Sequence, residues 1–318
     1  MNSKLKSKFF KNYLNFLWLR PENAIKDTIR ASAFREVLDK YVIKKNKILD
    51  ISCGDGIFSF ICAGGEFDSS VDAFSAIKNK NRSSKIDVFD HFNQNYKIKI
   101  KKKPIYKFDT GIDWKNSMLK KAKKLNWYTN LNEHNNSKKF KYKNDSFDLI
   151  YSNSAYWVKD MRKHISEIIR ITKPGGYIYL QMKFKNTYSK NLLINNTNVK
   201  LGKKFFQIIE GGRLATWRGI LDKKIFERYL KSQRSIKIVS YKPLFGDSFA
   251  LLWDVGLRPL FQPMQEMVNK LNKRDYVNIK KNWVKKVFDL LEQFTVNYKP
   301  KKDLFSNASE YSILIQKK

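Results

Sequence analysis

From Lys47 the chain reads KILDI, a short apolar run carrying one carboxylate, the pattern of a strand covered on both faces of a parallel sheet. It passes directly into SCGDGIFSF, a turn with two glycines and then an apolar segment of helical type. The same order recurs downstream. YKFDTGID predicts a strand, and NSMLKKAKKLNWY places Met118, Leu119, Ala122 and Leu125 at helical spacing. SFDLIYSNS predicts a strand ending in small polar residues, MRKHISEIIRIT a helix, residues 173–176 (KPGG) a turn, and YIYLQMKF an alternating strand. After residue 185 the rhythm lapses, then resumes with a helix at KKIFERYLKSQ, a strand at SIKIVSYKPLF and a last strand at EYSILIQKK, with helical stretches at PMQEMVNKL and NWVKKVFDLLEQF between the two. Repeated strand–helix order predicts an α/β fold, Rossmann-like and doubly wound, with a mainly parallel seven-stranded sheet and helical insertions.

Three segments follow from this pattern: a helical cap at residues 1–40, a core at 41–185 interrupted by an irregular Lys- and Asn-rich insertion at about 64–107, and a region at 186–318 holding a substrate cap and the last two strands. Those strands form a hairpin interrupted by a helical insertion at about 246–307.

Composition changes this picture in two places. The net charge of +35 points by itself to nucleic acid or an anionic membrane surface. Yet lysine is spread through nearly every segment, and arginine, the better tool for forked phosphate and base contacts, is scarcer. A solvated Lys-rich surface is therefore the expected reading, with nucleic acid not favoured. The basic, aromatic N-terminus predicts an amphipathic helix, because Lys11, Asn12 and Asn15 break its apolar stretch and no small-residue cleavage site follows. It and the segment LFQPMQEMVNKL are candidates for peripheral contact with an anionic membrane. Two cysteines, Cys53 and Cys62, fit neither a disulfide framework nor a four-ligand metal site, so no metal and a reducing, cytoplasmic setting are expected.

The chemistry-bearing residues cluster at predicted strand ends. In Asp50-Ile51-Ser52-Cys53-Gly54-Asp55-Gly56 the glycines let the main chain approach a ligand, while a carboxylate can hold a cationic group. In Gly111-Ile112-Asp113 a carboxylate ends a strand, where it can accept bonds from a ribose diol, with Trp114 beside it. The first turn lacks the third glycine of a dinucleotide fingerprint, since Ser59 occupies that position, and lacks the Gly-Lys-Ser/Thr of a P-loop.

Taken in order, ILDISCGDGIF, GIDWKNSMLKKA, SFDLIYSNSAYWVKD and ITKPGGYIYL resemble the class I S-adenosylmethionine (SAM)-dependent methyltransferases, in the broad small-molecule and glycan group, over about residues 47–185. The resemblance implies SAM as cofactor, held by Asp50, Ser52, Cys53, Gly54, Asp55, Gly56, Asp113, Trp114 and Asn153. Ser52 stands where the family has its first glycine. Asn135 and Asn136 are candidates for the adenine contact. Spacing also admits Asp72 as the ribose ligand; Asp113 is preferred for its preceding glycine and following helix, and a surface-loop carboxylate is the plain alternative for Asp72. Tyr156 and Trp157 follow the fourth-strand motif, where substrate and cofactor meet in this family. Arg213, Trp217 and Arg218, with Trp253, Asp254, Arg258 and Phe261, cluster aromatics with charge, as suits sugars, nucleotides or phosphorylated carriers. His91, His134 and His164 have no supporting motif for a base; the expected role of His164 is structural. The expected activity is methyl transfer to a small-molecule, saccharide or lipid-linked acceptor, with RNA methylation or a non-catalytic scaffold as alternatives.

Overall fold

The computed structural model describes residues 2–43, 46–75, 92, 97–185, 217–246, 249–250, 252–300 and 308–318. Two helices open the chain, α1 (Ser3–Phe16) and α2 (Pro21–Tyr41). Asn2 caps the first by accepting from the Lys4 N–H, and Pro21 starts the second, where its fixed φ suits the first turn. The core then runs β1 (Ile48–Ile51), α3 (Ile57–Cys62), β2 (Glu66–Phe67), β3 (Ile100–Lys102), β4 (Thr110–Asp113), α4 (Asn116–Lys123), β5 (Asn130–Glu133), β6 (Phe147–Ser152), α5 (Met161–Ile171) and β7 (Thr172–Met182). Next come α6 (Lys223–Ser232), β8 (Ile236–Phe245), α7 (Phe261–Asn269), α8 (Lys273–Asn297) and β9 (Glu310–Lys317).

Seven strands form one sheet in the order β5-β4-β1-β6-β7-β9-β8. Only β9 runs against its neighbours, pairing antiparallel with both β7 and β8. This is the Rossmann-like, mostly parallel architecture that the strand–helix rhythm predicts. The last two strands do pair as a hairpin, with α7 and α8 lying between them in sequence. The KPGG stretch is not a free turn before a strand: it is an excursion inside β7, where pairing jumps from Phe147–Thr172 to Leu149–Tyr177 and Gly175 takes φ 76°.

One expectation needs correction, and one strand was not expected. The 64–107 segment is not wholly irregular, since β2 and β3 pair antiparallel as a small ribbon. The polar NLNE run, unmarked by any apolar period, is the edge strand β5, with three of its four residues exposed.

Aromatic rings fill the layer between α2 and the sheet. Phe34 stacks on Tyr151 at 4.2 Å and on Tyr179 at 5.1 Å between ring centroids. On α1 the apolar residues Phe9, Phe10, Tyr13, Leu14 and Phe16 are buried, with Phe10 stacked on Phe288 of α8. Fully burying each such ring is worth about 2–3 kcal/mol. The apolar face of α1 is thus spent on the core, and laying it on a membrane would require unpacking it. Among the described residues no helix is long and apolar enough to cross a membrane.

Candidate active site

Strand β1 lies between β4 and β6, which continue the chain in opposite directions across the sheet, so a crevice opens at the carboxyl ends of these strands. The sequence turns the main chain there through three left-handed residues, Ser52 (φ 56°), Gly54 (φ 58°) and Gly56 (φ 76°). At Gly56 a side chain would also strike Leu125 and Tyr128 at 2.8 and 2.9 Å. At Gly54 a Cβ would meet nothing within 4 Å, which leaves room for a ligand against the main chain. The Asp55 carboxylate accepts from the Ile57 N–H at 3.1 Å and so starts α3. Cys53 and Cys62 are free and buried, and burial pushes the Cys53 thiol well above its ordinary value.

Asp50 is buried in β1 and accepts from the Tyr128 hydroxyl at 2.6 Å. Burial raises its pKa to about 6, against the lowering effect of hydrogen bonds from Ser59 and Tyr128 and with help from the nearby Asp113 charge. Asp113 ends β4. Its Oδ2 accepts from the Gly54 N–H at 3.0 Å and its Oδ1 from the Lys115 N–H at 2.9 Å, which ties the two strand-end turns together. Burial raises its pKa, partly offset by these N–H bonds. Trp114 beside it is 64% exposed, its ring free of the core. Asn153 follows β6, half-buried, on the other side of β1.

Asp72 is not a surface-loop carboxylate. It is 1% exposed and accepts from the Phe74 and Ser75 N–H groups, the Tyr276 hydroxyl at 3.1 Å and the Lys280 ammonium at 2.9 Å. It fastens the 68–75 segment to α8.

Beyond β5 the structure separates the two asparagines. Asn135 is exposed, and its side chain accepts from the Ser137 N–H. Asn136 instead donates from Nδ2 to Ser52 Oγ at 2.7 Å, while its Oδ1 is buried without a hydrogen-bond partner. His164 is 3% exposed, and its Nδ1 lies 3.1 Å from the Asn136 carbonyl oxygen. Because a carbonyl only accepts, Nδ1 carries the proton. Burial brings the His164 pKa down to about 4, so the ring is neutral at physiological pH and braces the loop. His134 stacks on Phe140 at 4.8 Å, and burial lowers its pKa too. His91 lies outside the described residues.

Three of the aromatic candidates meet. Trp217, 4% exposed, packs edge-on against Tyr156 at 5.3 Å and against Trp157 at 6.0 Å. Lys183, just past β7, lies 5.7 Å from the Trp217 ring and 5.9 Å from that of Trp253. Arg258 and Lys26 lie over the same Trp253 ring, whose Nε1 donates to Asn23. Phe261 sits apart, under Arg20. Arg218 is exposed. Arg213 and the Asp254 side chain lie outside the described residues.

Sequence reading missed the charges that frame this cluster. Glu310 opens β9 fully buried, accepting a two-pronged pair from Arg30 at 2.6 Å each and the Lys183 ammonium at 3.1 Å. Lys26, one turn earlier on α2, is brought down to about 8, mainly by burial. Nothing local in the sequence signals a pair 280 positions apart. An acid at the first residue of a buried strand was the one available hint.

Residues 102–180 match a family model described as a methyltransferase domain. No curated protein sequence matches the chain. Among solved structures it is similar to the [4+2]-cyclase SpnF (14% identity, 92% of this chain and 81% of that one, TM-score 0.44). It is also similar to a SAM-dependent methyltransferase from Methanosarcina mazei (15%, 88% and 96%, 0.41) and to one from Thermotoga maritima (10%, 92% and 91%, 0.43).

Proposed function

We propose that this chain is a class I S-adenosylmethionine-dependent methyltransferase whose acceptor is a small molecule or saccharide, free or lipid-linked. The observation that carries the acceptor class is the ring cluster of Tyr156, Trp157 and Trp217 just past β6, backed by Lys183 and Trp253. Ring faces bordered by cations suit a sugar or a phosphorylated carrier.

The residues present fit SAM. Gly54 leaves open space against the main chain, and Asn136 buries an acceptor that lacks a donor. In this reading Asp50 and the 52–56 turn hold the amino-acid end, with Cys53 and Asp55 shaping the turn. Asp113 accepts from the ribose, Trp114 and Asn136 flank the adenine, and Asn153 faces the reacting end. SAM supplies a methyl group on a sulfonium, open to direct displacement. The protein contributes alignment and exclusion of water; an amine acceptor needs no dedicated base, whereas a sugar hydroxyl needs one to take its proton.

Residues 1–40 then act as a helical cap, 41–185 as the cofactor core, and 186–318 as acceptor-cap segments, with Arg213 among them, plus the last two sheet strands. A cytoplasmic setting accords with two free, buried cysteines.

The test is transfer of a labelled methyl group from SAM to a panel of sugars, sugar phosphates, lipid-linked saccharides, amines and RNA. Labelling of a saccharide or small molecule, with KM raised about tenfold in Trp217→Ala and cofactor affinity unchanged, supports the reading. Labelling of RNA alone would replace the acceptor class, and no labelling with intact SAM binding would favour the scaffold alternative.

A further inference from the structure

Ser52 takes a left-handed backbone conformation that strains an L-residue and that glycine adopts freely. What the side chain provides in exchange is on view. Its Oγ accepts from Asn136 Nδ2 at 2.7 Å and from Ser154 Oγ at 2.8 Å, so one hydroxyl joins the segments that follow β1, β5 and β6. Strand β4 lies between β5 and β1, so the Asn136 bond bridges across a whole strand.

Asn136 is held a second time, at its main-chain carbonyl, by His164 from α5. With its main chain and its side chain each gripped, the amide is oriented: one Nδ2 hydrogen goes to Ser52, and Oδ1 is left buried without a donor. Such an acceptor carries the cost of lost hydration until something donates to it. The exocyclic amine of adenine is a donor. A 6-oxo purine offers an acceptor in the same place.

We propose that Ser52 is a positioning residue, whose hydroxyl orients Asn136 so that the site selects a 6-amino purine. The inference rests on the SAM reading above. Ser52 touches no reacting atom in this account; it acts through Asn136.

The experiment is calorimetric titration of the wild-type chain, Ser52→Gly and Ser52→Ala with S-adenosylhomocysteine and with S-inosylhomocysteine, alongside thermal unfolding of each protein without ligand. The wild type is expected to prefer the adenosyl compound by about tenfold or more, because the oxo group leaves two acceptors facing each other. Ser52→Gly is expected to unfold at the same or a higher temperature, since backbone strain is relieved. Its preference is expected to shrink to about threefold or less, through weaker adenosyl binding. Ser52→Ala should show the same lost preference with a lower unfolding temperature, because the strain stays and the bonds go. A merely structural role would move stability without moving the ratio of the two ligands. An undiminished ratio in Ser52→Gly, or a wild type that binds both ligands equally, overturns the proposal. A folded wild type that binds neither ligand overturns the cofactor reading itself, and this inference with it.

Discussion

Asp113 and Asp72 are both buried, and each accepts two main-chain N–H bonds, yet the regions around them are built differently. At the 68–75 segment the carboxylate also takes the Lys280 ammonium and the Tyr276 hydroxyl, both from α8. Its charge is met inside the protein, and what it achieves is attachment. At the end of β4 the donors to Asp113 are main-chain N–H groups among the described residues, and they come from the two turns that frame the crevice. That carboxylate keeps capacity to accept from a ligand. The contrast teaches that burial of an aspartate does not identify a site; the question is whether its charge has already been answered.

The largest expected effect lies on the attachment side. Asp72→Ala leaves the Lys280 ammonium buried without its partner and should lower the unfolding free energy by about 3–5 kcal/mol, read from denaturant melts. The affinity of the folded variant for S-adenosylhomocysteine should stay within about threefold of wild type. A folded Asp72→Ala protein that loses cofactor affinity would erase the distinction.

Glu310 sharpens the comparison as a second answered carboxylate. Burial alone would raise its pKa, but Arg30 and Lys183 outweigh that and bring it down to about 2. A folded pKa below the unfolded value of about 4.3 stabilises the protein above that pH, and the contribution is lost as pH falls toward 2. Between pH 5 and pH 2 the wild type should therefore lose about 3 kcal/mol more stability than Glu310→Gln, as measured by denaturant titration across that range.

Asp50 behaves oppositely. Burial, opposed by Ser59 and Tyr128 and aided by Asp113, raises its pKa to about 6, so the folded state binds the extra proton and stability declines as pH rises from about 4 to 6. If its carboxylate holds the cationic end of SAM, affinity for S-adenosylhomocysteine should fall by up to about tenfold per pH unit below 6. Asp50→Asn should flatten that dependence in a calorimetric pH series.

How much of this was legible in the sequence follows from range. Strands such as KILDI and SFDLIYSNS and the helix MRKHISEIIRIT declare themselves by local period, and the SCGDG turn by its glycines. NLNE does not, because an exposed sheet edge asks for no apolar residue. The place of Asp113 at a strand end could be read from its own neighbours. The role of Asp72 could not, since its partners lie 204 and 208 positions away. Ser52 was visible as a departure from glycine, but neither its positive φ nor its bonds to Asn136 and Ser154 leave a trace in the residue order.

The most direct test of the central claim is calorimetric titration of SAM and S-adenosylhomocysteine into the wild type and Asp113→Ala, with a melt to confirm that the variant is folded. Saturable binding by the wild type that weakens about a hundredfold or more in folded Asp113→Ala, the scale of two lost charge-assisted hydrogen bonds, is the predicted result. Equal affinity in the two proteins, or no binding by a folded wild type, would contradict it.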